Sequence, residues 1–168
     1  MYHIKPTHKV AVIGDGKLGQ MIAQAVSLTG CDLLVVGKHV EKLALLKNIG
    51  KTMLINELDF HGCFDVVIDC TGNEQGLKYS QRLVKPRGTI ILKSTYNHDA
   101  MLNATSWVVD ELCILGTRCG PMDAALRVLE RKVISIDGLV NRLYSLKEYE
   151  EAFNSKADIK IVFDLEKD

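Results

Sequence analysis

The sequence predicts an α/β fold, a single doubly wound domain built on a parallel sheet. Three observations predict it. Short apolar runs of strand length alternate with segments of helical spacing from Lys9 to Phe163. Those runs are apolar on successive residues rather than alternate ones, the pattern of strands covered on both faces. The first run leads directly into Gly14-Asp15-Gly16-Lys17-Leu18-Gly19, a G-x-G-x-x-G sequence that opens the first helix. Strand, glycine turn and helix in that order give the motif its mechanical meaning.

The elements follow in order. Lys9–Gly14 is a valine- and isoleucine-rich strand. Lys17–Thr29 places Leu18, Ile22, Ala25 and Val26 at helical spacing, and Gly30 stops that helix. Leu33–Val36 is the second buried strand. Val40–Ile49 is a helix with Leu43, Leu46 and Ile49 on one side, closed by Gly50. Thr52–Ile55 and Asp65–Cys70 are strands. About nine residues separate them, fewer than the ~10–12 of a full crossover helix, so this crossover is short or irregular. Asn73–Val84 is a helix ended by Pro86 and Gly88, and Thr89–Leu92 is the next strand. A short helix is expected around Asn97–Ala104, then a strand at Leu112–Leu115. Pro121–Arg131 is a helix with proline at its first position, where a missing N–H costs nothing. Ser145-Leu146-Lys147-Glu148 is a capping box that opens a helix through Phe153. Ile159–Phe163 is the last strand.

Composition excludes several classes of function. The 168 residues carry 21 basic and 21 acidic side chains, with no basic stripe to track a nucleic acid. No apolar run approaches the ~20 residues of a membrane span, and the N-terminal residues lack the apolar core of a signal peptide. The expected location is cytoplasmic. Five cysteines without a C-x-x-C are read as reduced, mostly buried thiols. His61 and Cys63 are close in sequence, but a zinc site wants about four ligands, so they are read as a surface turn. No metal site is expected.

The glycines carry the chemistry. Gly14 permits the tight turn, Gly16 lets backbone approach a pyrophosphate, and Gly19 lets helix pack on strand. The helix N-terminus supplies free N–H groups to the anion. The second strand should run beside the first, with its end facing the adenosine ribose. An NAD site usually places Asp or Glu there. This chain has Gly37-Lys38-His39, with Lys42 one helical turn on. Positive charge without a carboxylate at that point predicts NADP(H), with NAD as the alternative.

Six segments carry a resemblance to a known family: VAVIGDGKLGQMIAQ, LLVVGKHVEKL, FDVVIDCTGN, LVKPRGTIILKSTY, ELCILGTRCGPMDAAL and DIKIVF. In that order they resemble the C-terminal half of zinc-type medium-chain alcohol dehydrogenases, the group of threonine, sorbitol and glucose dehydrogenases. The resemblance runs from Lys9 to Phe163 and implies a Rossmann fold of six parallel strands. It implies that Gly16, Lys17 and Leu18 lie against the pyrophosphate, and that Gly37, Lys38, His39 and Lys42 surround the adenosine ribose. Thr71 and Gly72 would line the cleft. Lys93, Ser94 and Thr95 would lie beside the nicotinamide, which Leu115, Gly116 and Thr117 would border from the sixth strand. Lys160 matches a basic residue that reaches the pyrophosphate, and Arg118 would reach either coenzyme or solvent.

In that family a β-rich domain with zinc-binding Cys and His comes first. Only nine residues up to Lys9 stand in its place here, so no catalytic residue is expected in this chain. The resemblance thus implies the coenzyme half of an alcohol or polyol dehydrogenase-like oxidoreductase, with a separate zinc-binding catalytic domain as partner. It also implies a homodimer joined through the sixth strand. The alternative is a nucleotide-binding or assembly module without redox chemistry, since this fold serves both.

Overall fold

The computed structural model describes residues 2–59, 61–96, 99–101, 103–140, 142–155 and 159–167. They fall into two compact units, Met1–Met122 and Asp123–Asp168.

The first unit contains β1 (Lys9–Ile13), α1 (Lys17–Ser27), β2 (Asp32–Gly37), α2 (Val40–Ala44), β3 (Lys51–Leu54), β4 (Phe64–Asp69), α3 (Glu74–Leu83), β5 (Val84–Leu92), α4 (Ala104–Val109) and β6 (Cys113–Gly116). The six strands are parallel, in the order β3-β2-β1-β4-β5-β6. The expected Rossmann sheet is therefore present. The chain winds outward from β1 to β3, returns, and winds the other way from β4 to β6. The carboxyl ends of β1 and β4 flank the switch point, where such sheets open a crevice for ligands.

The apolar runs explain this sheet. Val10, Val12, Val35 and Val66 pack with Ala23, Val26, Leu43 and Leu46 on one face. Ala11, Ile13, Val36 and Val67 pack with Leu77, Leu83 and Ile90 on the other. Each strand thus feeds both faces with alternate residues, so none of these positions tolerates a polar side chain. Full burial of one such aliphatic side chain contributes about 1.5–3 kcal/mol.

The short crossover from β3 to β4 holds a single 3-10 turn, Ile55–Glu57. Several boundaries differ from expectation. The helix expected over Val40–Ile49 is α-helical only to Ala44. It continues as tighter turns, in which Leu46 N–H donates to the Leu43 carbonyl and Ile49 N–H to that of Leu46. The strand expected at Thr89 begins at Val84. Register jumps from Phe64 opposite Val84 to Val66 opposite Thr89, so Pro86 and Gly88 belong to a bulge within β5 rather than to a helix end. The helix expected around Asn97–Ala104 falls partly on Asn97, His98 and Leu102, which are outside the described residues. The observed helix is α4, starting at Ala104, because the Asn103 side chain caps it by accepting from Thr105 N–H at 3.2 Å.

The second unit contains α5 (Met122–Glu130) from Asp123 onward, β7 (Leu143–Tyr144), α6 (Tyr149–Asn154) and β8 (Val162–Phe163). The strand expected over Ile159–Phe163 is reduced to β8, which pairs in parallel with β7 in a separate two-stranded sheet. Glu148 accepts from the Ser145 N–H at 2.8 Å, as the capping pattern predicts, and the helix begins with a 3-10 turn before α6.

Candidate functional site

The turn after β1 is built by close backbone contact. Gly14 has φ +117°, a conformation that side chains disfavour, and its N–H donates to the Val36 carbonyl at 2.8 Å. A Cβ on Gly19 would overlap the Gly14 carbonyl oxygen and lie 2.8 Å from the Gly14 carbonyl carbon. At Gly16 a Cβ would meet nothing within 4 Å. Gly16, Lys17 and Leu18 are exposed, no side chain caps α1, and its first turn carries no acidic residue. The fingerprint thus divides its labour. Gly14 and Gly19 serve the fold, and Gly16 keeps space clear at a helix end rich in free N–H groups.

Beside this turn lies an open cleft of about 270 Å³ lined by residues of the β1, β2 and β4 ends. Gly14, Gly16, Gly37, Lys38, His39, Lys42 and Thr71 all line it, so the structure gathers the four residues expected around the adenosine ribose, Gly37, Lys38, His39 and Lys42, beside the glycine turn and Thr71. Asp15, Cys70 and Asn73 line it as well, and were not among the expected site residues.

Asp15 is the principal addition. It is buried, and its Oδ2 accepts from the Lys38 and His39 backbone N–H groups at 2.7 Å each. The His39 imidazole meets the same carboxylate through Nδ1, at 3.1 and 3.2 Å from its two oxygens. Burial acts to raise the Asp15 pKa. The hydrogen bonds from the His39 backbone and ring and from the Lys38 backbone outweigh it and hold the carboxyl below its ordinary range. The charge-linked support for the loop is therefore complete above the ordinary aspartate pKa and is lost as pH falls through the depressed value.

Asp15 also explains Gly37. A Cβ there would lie 2.5 Å from Asp15 Oδ2 and 2.6 Å from its Cβ. The glycine is required by the carboxylate beneath it, a reason the sequence alone did not show. Gln20 completes the junction: buried in α1, it donates to the Lys42 carbonyl at 2.7 Å and to that of Asp15 at 3.3 Å. The only sequence signal for this arrangement is an acidic residue inside the glycine motif.

A second group of expected residues gathers at the ends of β4, β5 and β6. A Cβ on Gly72 would lie 3.6 Å from the Thr95 carbonyl oxygen and 4.0 Å from the Ser94 Cβ. Thr117 N–H donates to the Leu92 carbonyl at 3.0 Å, and Lys93 Nζ donates to the Arg118 carbonyl at 2.7 Å. Buried Asp69 fixes these turns: it accepts from the Thr71 N–H and hydroxyl through Oδ1, and from the Tyr96 hydroxyl through Oδ2. Burial, and then the bond to Asp69, push the Tyr96 phenol well above its ordinary range. Burial likewise pushes the Cys70 thiol up to about 12, leaving a neutral cleft wall. Lys160 is exposed and belongs to the second unit. Leu115 and Gly116 lie in β6.

Among the described residues, no group of three or more His, Cys, Asp or Glu could hold a metal ion. Cys63 Sγ is engaged locally with the His61 carbonyl at 3.0 Å. No helix among the described residues is long and apolar enough to cross a membrane.

Comparison with known proteins places this geometry. A family profile described as zinc-binding dehydrogenase matches residues 18–131. D-arabinitol dehydrogenase 1 of Uromyces fabae is 29% identical over 175 residues, covering 91% of this chain and 49% of that protein. Ribulose-5-phosphate reductase of Streptococcus pneumoniae is 27% identical over 163 residues, covering 92% and 46%. The chain spans about half the length of the curated relatives it matches. A solved structure of a zinc-binding dehydrogenase from Sinorhizobium meliloti, bound to NADP, superposes with a TM-score of 0.85. It shares 24% identity over 96% of this chain and 54% of that one.

Proposed function

The chain belongs to the zinc-binding dehydrogenase family, and we propose that it is the coenzyme-binding half of an alcohol or polyol oxidoreductase that uses NADP(H). The observation that carries the coenzyme assignment is the rim of the cleft. Lys38, His39 and Lys42 gather there beside Gly37, and no side chain extends from the end of β2. NADP(H), when bound, supplies the hydride chemistry. The residues of this chain hold and orient it: Gly16, Lys17 and Leu18 at the pyrophosphate, Lys38, His39 and Lys42 at the adenosine phosphate. Thr71, Gly72, Lys93, Ser94, Thr95, Leu115, Gly116 and Thr117 stand toward the nicotinamide. Lys160 is assigned to the pyrophosphate by resemblance alone. Substrate and zinc would be held by residues outside these 168. The NADP-bound relative from S. meliloti supports this assignment.

Titration of the purified chain with NADPH and NADH tests it. A charge-assisted hydrogen bond contributes about 1.5–3 kcal/mol, reduced by exposure and salt at an open cleft. We expect NADPH to bind about tenfold tighter than NADH, and Lys38→Ala to remove most of that margin. Equal or tighter binding of NADH would contradict the assignment.

We further propose that the chain forms a homodimer through β6. This strand ends the sheet order, and Ile114 and Leu115 are only partly buried. An unpaired apolar edge favours continuation of the sheet by a second copy. Sedimentation at micromolar concentration should show a dimer; a monomer would refute the interface.

A further inference from the structure

Resting on the coenzyme assignment above, we propose that Asp15 is a positioning residue that turns His39 into a proton-dependent reader of the coenzyme 2′-phosphate. NADPH binding then takes up a proton at His39 Nε2, and NADH binding does not.

The tautomer of His39 carries the argument. Nδ1 lies 3.1 and 3.2 Å from the two oxygens of the Asp15 carboxylate. A carboxylate only accepts, so Nδ1 must carry hydrogen. In the neutral ring, Nε2 is then a bare lone pair. It is also the nitrogen on the far side of the ring from Asp15, on a side chain that is 46% exposed and lines the cleft. Among the described residues none hydrogen-bonds to it. A phosphate oxygen has no hydrogen to offer that lone pair, so the neutral ring and the phosphate repel. Adding a proton from solvent to Nε2 makes it a cationic donor, the form a phosphate accepts from.

The other groups around the ring leave this step to His39. Asp15 beneath it is ionised. Lys38 on the same loop and Lys42 on α2 are basic side chains that line the cleft, and Glu41 on α2 is exposed and outside the cleft lining. Cys70 across the cleft stays a thiol. The backbone bonds from Lys38 and His39 to Asp15 hold the loop, so the ring cannot turn Nδ1 toward the phosphate without giving up its partner.

Calorimetric titration in two buffers of different ionisation enthalpy reads the proton count. At about pH 7.5 the free 2′-phosphate is mostly dianionic. There NADPH binding should take up a substantial fraction of one proton, and NADH none. His39→Gln keeps a neutral N–H donor and should abolish the uptake. Asp15→Asn can still accept the loop N–H groups, while its amide can donate to Nδ1. That frees the neutral tautomer with hydrogen on Nε2, so NADPH should still bind with much less proton uptake. Preference for NADPH with no proton uptake, or undiminished uptake in either variant, would overturn this inference and leave the coenzyme assignment standing. Failure of the chain to prefer NADPH would overturn both.

Discussion

Gly19→Ala should destabilise the chain by about 3 kcal/mol or more, lowering its melting temperature by roughly 10 °C for a protein of this size. The added methyl would overlap the carbonyl of Gly14, and neither partner can give way. Gly14 is pinned by its N–H bond to Val36, and a Cβ on it would itself lie 3.1 Å from the Cys70 backbone. Gly19 is itself buried in the first turn of α1. Relief would require α1 to move off the sheet, opening the face where Ala23 and Val26 pack. Gly16→Ala is the matched control. Its Cβ has open space and its backbone is extended, at φ −74° and ψ 179°, so stability should stay within about 0.5 kcal/mol. Coenzyme affinity should nevertheless fall, because the methyl occupies the space assigned to the pyrophosphate. Chemical denaturation of both variants alongside coenzyme titration separates the roles. Equal stability of the two variants would refute the division.

Gly37→Asp should weaken NADPH binding about a hundredfold. The new Cβ would stand 2.5 Å from Asp15 Oδ2, and the new carboxylate would face both Asp15 and the coenzyme phosphate. Asp15 must then leave its place, losing its bonds to Lys38 and His39, each a hydrogen bond to a charged group that contributes about 1.5–3 kcal/mol. One such loss plus the repulsion gives the predicted factor. The single variant confounds two causes, steric and electrostatic. Combining it with Asp15→Gly separates them, because glycine removes the Cβ that would lie 2.6 Å away as well as the carboxylate. With the space cleared, a carboxylate at the end of β2 can accept from the ribose hydroxyls, the usual arrangement for NAD. The double variant should therefore bind NADH in preference to NADPH, with NADH affinity within about tenfold of the unaltered chain. A double variant as defective toward NADH as Gly37→Asp alone would show that Asp15 is not the steric partner that matters.

These two cases show where the sequence was informative. The buried strands were legible because a doubly covered strand must be apolar at every position, as in Val10–Ile13 and Val66–Ile68. The glycine turn was legible because its spacing follows from backbone contacts. The placement of Gly37–His39 beside the glycine loop was legible because β2 must lie beside β1. Asp15 was not, since its role depends on a side chain folding back across the sheet end to meet a segment more than twenty residues away. Asp69 and Tyr96 were missed for the same reason. Periodicity also placed the edges of α2, α4 and β5 wrongly. Those edges are set by local hydrogen bonds, such as the Asn103 cap, and by the bulge at Lys85–Gly88, where Arg87 adopts φ +61°.

The most direct test of the coenzyme assignment is a backbone amide NMR map of the chain with each coenzyme in turn. We predict that Gly16, Lys17 and Leu18 shift with both NADPH and NADH, since both carry the pyrophosphate. Lys38, His39 and Lys42 should shift strongly with NADPH and weakly with NADH. Equal shifts of Lys38, His39 and Lys42 with the two coenzymes, or no shift at Gly16–Leu18 with either, would contradict it.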